Sequence, residues 1–118
     1  MDTSKSDFKQ FEGEIYRKAP EGKLKRYWFV LLGKEFYCYR KKDDPNHKTM
    51  HSLVGTYVKD EAEEQVPGKS VKLYPFRLIF PPNKSRQYFL ISKEDRDRWV
   101  NAIKDSIGYS TVEDFYEI

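Results

Sequence analysis

Apolar positions in this chain follow one rhythm up to Ser92 and another after it. From Gly13 onward they come in short runs broken by glycine and proline, the pattern of successive β-strands. Residues 13–18 predict a first strand with Ile15 inward, and Ala19-Pro20-Glu21-Gly22 supplies the turn residues of an antiparallel connection. Residues 24–32 predict the second strand, Gly33-Lys34 a tight turn, and residues 35–41 the third, together an antiparallel meander. Residues 42–51 are polar and include Asp43-Asp44-Pro45-Asn46, which predicts a longer loop before a fourth strand over 52–59. The acidic stretch 60–64, stopped by Pro67-Gly68, predicts an exposed loop. Residues 71–80 and 87–92 predict the last strands, parted by 81–86. Strands this short and this many predict a sheet that curls or closes.

The closing segment changes period. Ser92 with Asp95 three places on has the form of a helix cap, and Trp99, Val100, Ile103 and Ile107 then fall on one helical stripe before Gly108 stops it. An amphipathic helix after a run of strands predicts a lid over one end of a barrel. Its stripe, Trp99 included, is read as core.

Composition adds limits. With 118 residues the chain supports one domain with a single core. Charged residues make up 35%, yet aromatics at 16%, grouped in runs, supply the burial that a small fold needs. No apolar stretch approaches the roughly 18 residues that cross a bilayer, so membrane contact is expected to be peripheral. The single Cys38 excludes an internal disulfide and reads as a buried, reduced thiol, consistent with an intracellular, cytoplasmic setting.

The net charge of +3 conceals an uneven distribution. Residues 17–26 carry Arg17, Lys18, Lys23, Lys25 and Arg26 against Glu21 alone. Residues 40–48 carry Arg40, Lys41, Lys42 and Lys48 against Asp43 and Asp44, and Lys84 and Arg86 form a third basic segment. The rest of the chain is net acidic, so a fold that gathers these segments is a dipole with a basic end, oriented toward anionic surfaces.

These features together resemble a pleckstrin homology (PH) domain. The resemblance rests on Gly13-x-Ile15-x-Arg17, the strand Lys25-Arg26-Tyr27-Trp28-Phe29-Val30-Leu31, the aromatic third strand, the strand Tyr74-Pro75-Phe76-Arg77-Leu78-Ile79-Phe80, and Trp99 in the closing helix. It implies a mainly β fold, a seven-stranded bent antiparallel sheet or partly open barrel capped by one C-terminal α-helix. Residues 10–108 would form the domain, 1–9 an N-terminal extension and 109–118 a tail or linker. It also implies a non-catalytic module that binds phosphoinositide head groups or an anionic membrane surface, without cofactor and as a monomer.

The family's phosphate motif maps onto Arg17 at the end of the first strand and Lys25 at the start of the second. Its third position, an arginine in the family, is Tyr27 here. Lys25, Tyr27 and Phe29 share one face of the strand while Arg26 and Trp28 share the other, so Arg26 does not replace it by simple alternation. Tyrosine donates one hydrogen bond but lacks arginine's charge and fork, which favours charge-driven contact over tight selectivity. Two arrangements stay open at this point. Arg40 could join Arg17 and Lys25 in the usual pocket, with Lys18, Lys41 and Lys42 nearby, or the phosphate could lie on the outer side near Lys23, Arg26 and Trp28. Tyr16 and Tyr37 read as sheet-surface aromatics.

Other function classes lack support. His47 and His51 lie four apart, but Pro45-Asn46 marks a loop rather than a metal-binding helix. No Gly-rich phosphate cradle or nucleophile elbow is present. Aromatic and basic residues interleave in 23–42, but the aromatics are needed for the core and the flanking acids oppose a nucleic acid. The rival from another class is a protein-interaction or autoinhibitory module. Asp114-Phe115-Tyr116-Glu117-Ile118 is similar to the lead-in to the catalytic domain of calmodulin-dependent-type protein kinases, which would make an adjacent kinase domain the partner.

Overall fold

The computed structural model describes residues 9–108. Eight strands and one helix follow in the order β1 (Lys9–Lys18), β2 (Leu24–Leu32), β3 (Glu35–Tyr39), β4 (Thr49–Ser52), β5 (Tyr57–Asp60), β6 (Glu64–Gln65), β7 (Lys72–Phe80), β8 (Lys84–Leu90) and α1 (Lys93–Ile107). Seven of them form one antiparallel path in the order β4-β3-β2-β1-β8-β7-β5, and the two-residue β6 pairs β7 off that path. The sheet turns its corner at β1, which meets β8 at the single register pair Tyr16–Phe89. Its two free edges, β4 and β5, are the seam of a partly open barrel. The mainly β, helix-capped architecture expected from the sequence is the one observed. No described helix is long and apolar enough to cross a membrane.

Several boundaries differ from the expectation: β1 and β8 begin at Lys9 and Lys84 rather than at 13 and 87, and three other departures have a local reason. The expected strand over 52–59 is a turn followed by β5, with β4 lying almost wholly in the expected loop 42–51, because Gly55 takes a φ of 75° and Thr56 N–H donates to Leu53 O at 3.0 Å, closing a turn across the seam. That turn breaks the alternation, so Leu53, Thr56 and Val58 all point inward. The acidic stretch is only partly a loop, since Glu64 begins β6 and Glu61 is half-buried beneath Arg77 and Gln87. The third strand stops at Tyr39, and the chain bends at Arg40 and Lys41.

The interior is aromatic. Phe29 and Phe36 stack at 5.0 Å, Tyr88 meets both edge-on at 5.6 Å, and Phe76 stacks on Tyr88 at 5.2 Å. Trp99 closes one end, its ring 4.7 Å from Phe11 and 5.9 Å from Phe36. Ser92 caps the helix by accepting from Asp95 N–H, and Gly108, at φ 79°, ends it by donating to Lys104 O and Asp105 O. Arg96 fixes the lid. Buried to 5% exposure, it donates to Glu61 O at 3.0 Å, Pro75 O at 2.9 Å and Asp97 Oδ1 at 2.7 Å.

Candidate functional site

With the helix over one end, the opposite mouth carries the basic segments. Ile15 is fully buried, so alternation along β1 sends Arg17 to the inner face as well. The β1–β2 register pairs Arg17 with Lys25 and Ile15 with Tyr27, which brings those side chains to one face at the rim. The connecting turn is tight, with Gly22 N–H donating to Ala19 O and Ala19 N–H to Lys23 O, both at 2.8 Å. On the other wall Cys38 pairs with Thr49, and Lys48 N–H donates to Cys38 O at 2.6 Å, which holds Lys48 at the same rim.

These residues surround a cavity of about 260 Å³ lined by Arg17, Lys18, Lys25, Tyr27, Cys38, Lys48 and Thr49, with Ala19 and Pro20 at its edge. No carboxylate is among them. Lys18 is paired with Glu64 at 3.3 Å, but Arg17, Lys25 and Lys48 have no ion pair among the described residues. The Arg17 guanidinium lies 5.4 Å from the Tyr88 ring centre, and its Nε is buried without a hydrogen-bond partner. Lys48 sits 5.7 Å from the Tyr27 ring. Burial drives the Cys38 thiol up, outweighing the Thr49 hydrogen bond and the nearby Lys48, Arg17 and Arg40 charges, so the sulfur is a protonated wall group rather than a nucleophile. The Tyr88 phenol below is pushed up to about 12 by burial, despite Arg17 and Arg86, and stays neutral.

The second arrangement has its own geometry. Across β2, a smaller cavity of about 160 Å³ is lined by Arg26, Tyr27, Trp28, Arg40, Lys41, Lys42 and one acid, Glu14. Arg26 Nε lies 3.6 Å from Glu14 Oε2, so part of its charge is already answered. Lys42 stands 5.4 Å from the Trp28 ring, whose indole N–H donates to Glu12 at 3.0 Å. Arg40 lies with Arg26 on this outer side and not in the Arg17–Lys25 cavity. Lys23 is exposed in the turn between the two cavities.

Lys48, His51, Lys84 and Arg86 were not among the site residues expected from the sequence. The alternation Arg86-Tyr88-Leu90 was the available signal, because it places Arg86 on the inward face of β8. The two histidines take opposite faces: His47 packs on Tyr37 and Tyr39 outside, and His51 lies against Phe80 inside. Among the described residues no cluster of His, Cys, Asp and Glu is suited to a metal. The kinase-like segment 114–118 lies outside the described residues.

Comparison with known proteins meets this geometry at the level of the fold. The C-terminal PH domain of human pleckstrin superposes with a TM-score of 0.69 at 16% identity, over 91% of this chain and 95% of that one. The PH domain of mouse ethanol decreased 4 protein gives 0.66 at 22% identity, over 85% and 88%. A pleckstrin C-terminal PH domain in complex with D-myo-Ins(1,2,3,4,5)P5 gives 0.60 at 17%, over 81% and 95%. At these identities the likeness speaks for the fold alone. No curated protein sequence matches the chain. The family model described as "PH domain" matches residues 9–108, spanning the sheet and its helical lid, and on that match the chain belongs to the PH domain family.

Proposed function

We propose that this domain binds the phosphorylated head group of a phosphoinositide in the inner cavity and so docks on the cytoplasmic face of an anionic membrane. PH domains are generally non-catalytic modules, and many bind phosphoinositides. The observation that carries the reading is the set Arg17, Lys25 and Lys48, three cations at one rim with no ion pair among the described residues and no carboxylate in the cavity wall. A phosphate there would gain charge-assisted bonds without displacing an internal partner. The buried Arg17 Nε is a donor in search of an acceptor. The outer cavity is the weaker candidate, because an anion at Arg26 would compete with Glu14. A related pleckstrin domain carries an inositol pentakisphosphate, which fits this chemistry. In the whole protein the domain would place or restrain an attached catalytic domain, a kinase on the reading of residues 114–118.

Co-sedimentation with vesicles tests the proposal. Phosphoinositide vesicles should pellet the domain at physiological salt while phosphatidylserine alone should not, and Arg17→Gln should abolish the difference. Pelleting by every anionic lipid that vanishes with salt would reject a formed pocket.

A second reading has one observation in its favour. The outer face of β1–β3 carries a groove of about 470 Å³ lined by Trp28, Val30, Leu32, Tyr37, Tyr39 and Pro45, with Glu12, Asp43 and Asp44 at its rim. An aromatic groove with acidic edges suits a protein contact, and the domain would then serve as an interaction or autoinhibitory module.

A further inference from the structure

Two residues along β4 from the cavity-lining Thr49 lies a histidine in the field of three cations, Arg86, Arg17 and Lys84. His51 pairs across the sheet with Phe36, and Thr49 with Cys38, so His51 and Thr49 share the inward face of β4 and Thr49 lines the cavity. On the facing wall Arg86 shares the inward face of β8 with Tyr88, and its Nε, like that of Arg17, is buried without a hydrogen-bond partner. The His51 ring lies 5.0 Å from the Phe80 ring.

The groups around the imidazole come from every wall. β1 contributes the charge of Arg17, and β8 those of Arg86 and Lys84. Phe36 of β3 stands opposite it in the sheet register, and the uncharged Phe80 of β7 lies against its ring. No carboxylate is among the charges that act on it. Burial first, then Arg86, Arg17 and Lys84, hold His51 below the ordinary histidine value of 6.5, so at neutral pH it is uncharged.

We propose that a polyanion entering the inner cavity draws a proton onto His51, so that the pocket tightens as pH falls. The inference rests on the inner-cavity reading above and adds a regulator to it. An anion on Arg17 offsets the same positive field that keeps the imidazole neutral, and the proton affinity of His51 then rises. Linkage fixes the sign: a ligand that raises a group's proton affinity binds better to the protonated form, so binding takes up protons and strengthens toward acid. Well above the histidine range both free and bound states are neutral there, and the dependence disappears.

The probe is inositol hexasulfate, because sulfate esters keep their charge across the range where phosphomonoesters, with a second pKa of about 6, lose theirs. Isothermal titration of the 118-residue chain near pH ~6, in two buffers of different ionisation enthalpy, counts the protons taken up on binding. Wild type should take up a sizeable fraction of one proton and bind several-fold tighter at pH ~5.5 than at ~7.5. His51→Gln should take up none and lose the pH dependence, and His47→Gln, on the outer face, should behave as wild type. In unaltered protein, the NMR titration of the His51 ring should move upward when the probe is added. Wild-type binding without proton uptake, or uptake that persists in His51→Gln, would overturn the proposal. If no binding heat appears at any pH, the inner-cavity reading fails and takes the proposal with it, an outcome distinct from binding without protons.

Discussion

Tyr27→Arg is the most informative single change, because it should create affinity rather than destroy it and a folding defect cannot imitate the result. Tyr27 lies on the inward face beside Lys25, lines the cavity, and stands where the resemblance to the family's phosphate motif leads one to expect arginine. A charge-assisted hydrogen bond contributes about 1.5–3 kcal/mol net, and each 1.4 kcal/mol is tenfold. One such bond therefore predicts a gain of roughly 10- to 100-fold, with bidentate geometry favouring the upper end. The substitution also has a cost. The Tyr27 ring meets Phe29 edge-on at 6.5 Å and Lys48 at 5.7 Å, and both contacts are lost. An aromatic pair contributes about 0.5–1.5 kcal/mol, so the melting temperature should fall by several degrees. The added guanidinium would also stand near Lys25 and Lys48 with no acid to offset it, and bound anion should recover part of that loss. Vesicle flotation at physiological salt with one phosphoinositide at a time reads the affinity, and thermal melts with and without inositol hexasulfate read the stability. Unchanged or weaker binding would refute the inner-cavity reading, most clearly if Arg26→Gln abolished binding while Arg17→Gln did not.

Other outcomes follow from the same geometry. Arg17→Gln combined with Lys25→Gln should remove pocket binding, while Arg26→Gln should leave most of it; equal loss in both would place the anion outside. Arg96→Met should lower stability by about 1–3 kcal/mol in urea unfolding, since the Glu61 carbonyl loses its donor while the Pro75 carbonyl keeps the Glu61 N–H at 3.1 Å; a loss below ~1 kcal/mol would mean that water replaces the guanidinium. Burial pushes the Glu61 carboxyl up, but hydrogen bonds from Arg77 and Gln87 leave it lowered overall from 4.5. Its contribution is therefore complete above 4.5 and lost as pH falls through the lower folded value, so Glu61→Gln should flatten the acid limb of stability below pH 4.5 and change little in shape above it.

Much of the candidate site was legible through the resemblance to the PH family, with strand parity assigning its faces, and the misplacements follow from where parity stops. Ile15 is inward and β1 is regular to Lys18, so Arg17 follows; the same logic holds for Lys25 and Tyr27 opposite. The helix stripe is just as regular, with Trp99, Val100 and Ile103 buried. Arg40 shows the limit. With the third strand carried to residue 41, alternation from buried Cys38 sends Arg40 inward, but β3 stops at Tyr39 and the bend delivers Arg40 to the outer cavity. Gly55 was visible inside a supposed strand, where glycine signals a break, yet whether the chain would turn there or bulge depends on the seam between β4 and β5. Glu64 lies 46 residues from the Lys18 it pairs with, and Arg96 reaches carbonyls 35 and 21 residues away. No local pattern encodes those distances.

Pairing, more than the number of charges, separates the two candidate sites. The chain has 22 basic and 19 acidic residues, a near balance that by itself favours no anion. Six acids are held by other cations: Glu14 by Arg26, Glu61 by Arg77, Glu63 by Lys72, Glu64 by Lys18, Asp95 by Arg98, and Asp97 by Lys93 and Arg96. Among the described residues, Arg17, Lys25 and Lys48 at the inner mouth have no ion pair, nor have Lys84 and Arg86 on β8. Because the Debye length at physiological salt is about 8 Å, exposed charges on the outer loops lose most of their reach. Arg17, 5.4 Å from the Tyr88 ring centre, and Arg86 are both partly buried and are screened less. Salt therefore distinguishes the surfaces: contact through Arg26, Lys41 and Lys42 should weaken steeply as salt rises, whereas contact through Arg17 should keep a residue of binding that salt does not remove. That residue, measured in vesicles of a single phosphoinositide, is the part of the affinity that belongs to a pocket.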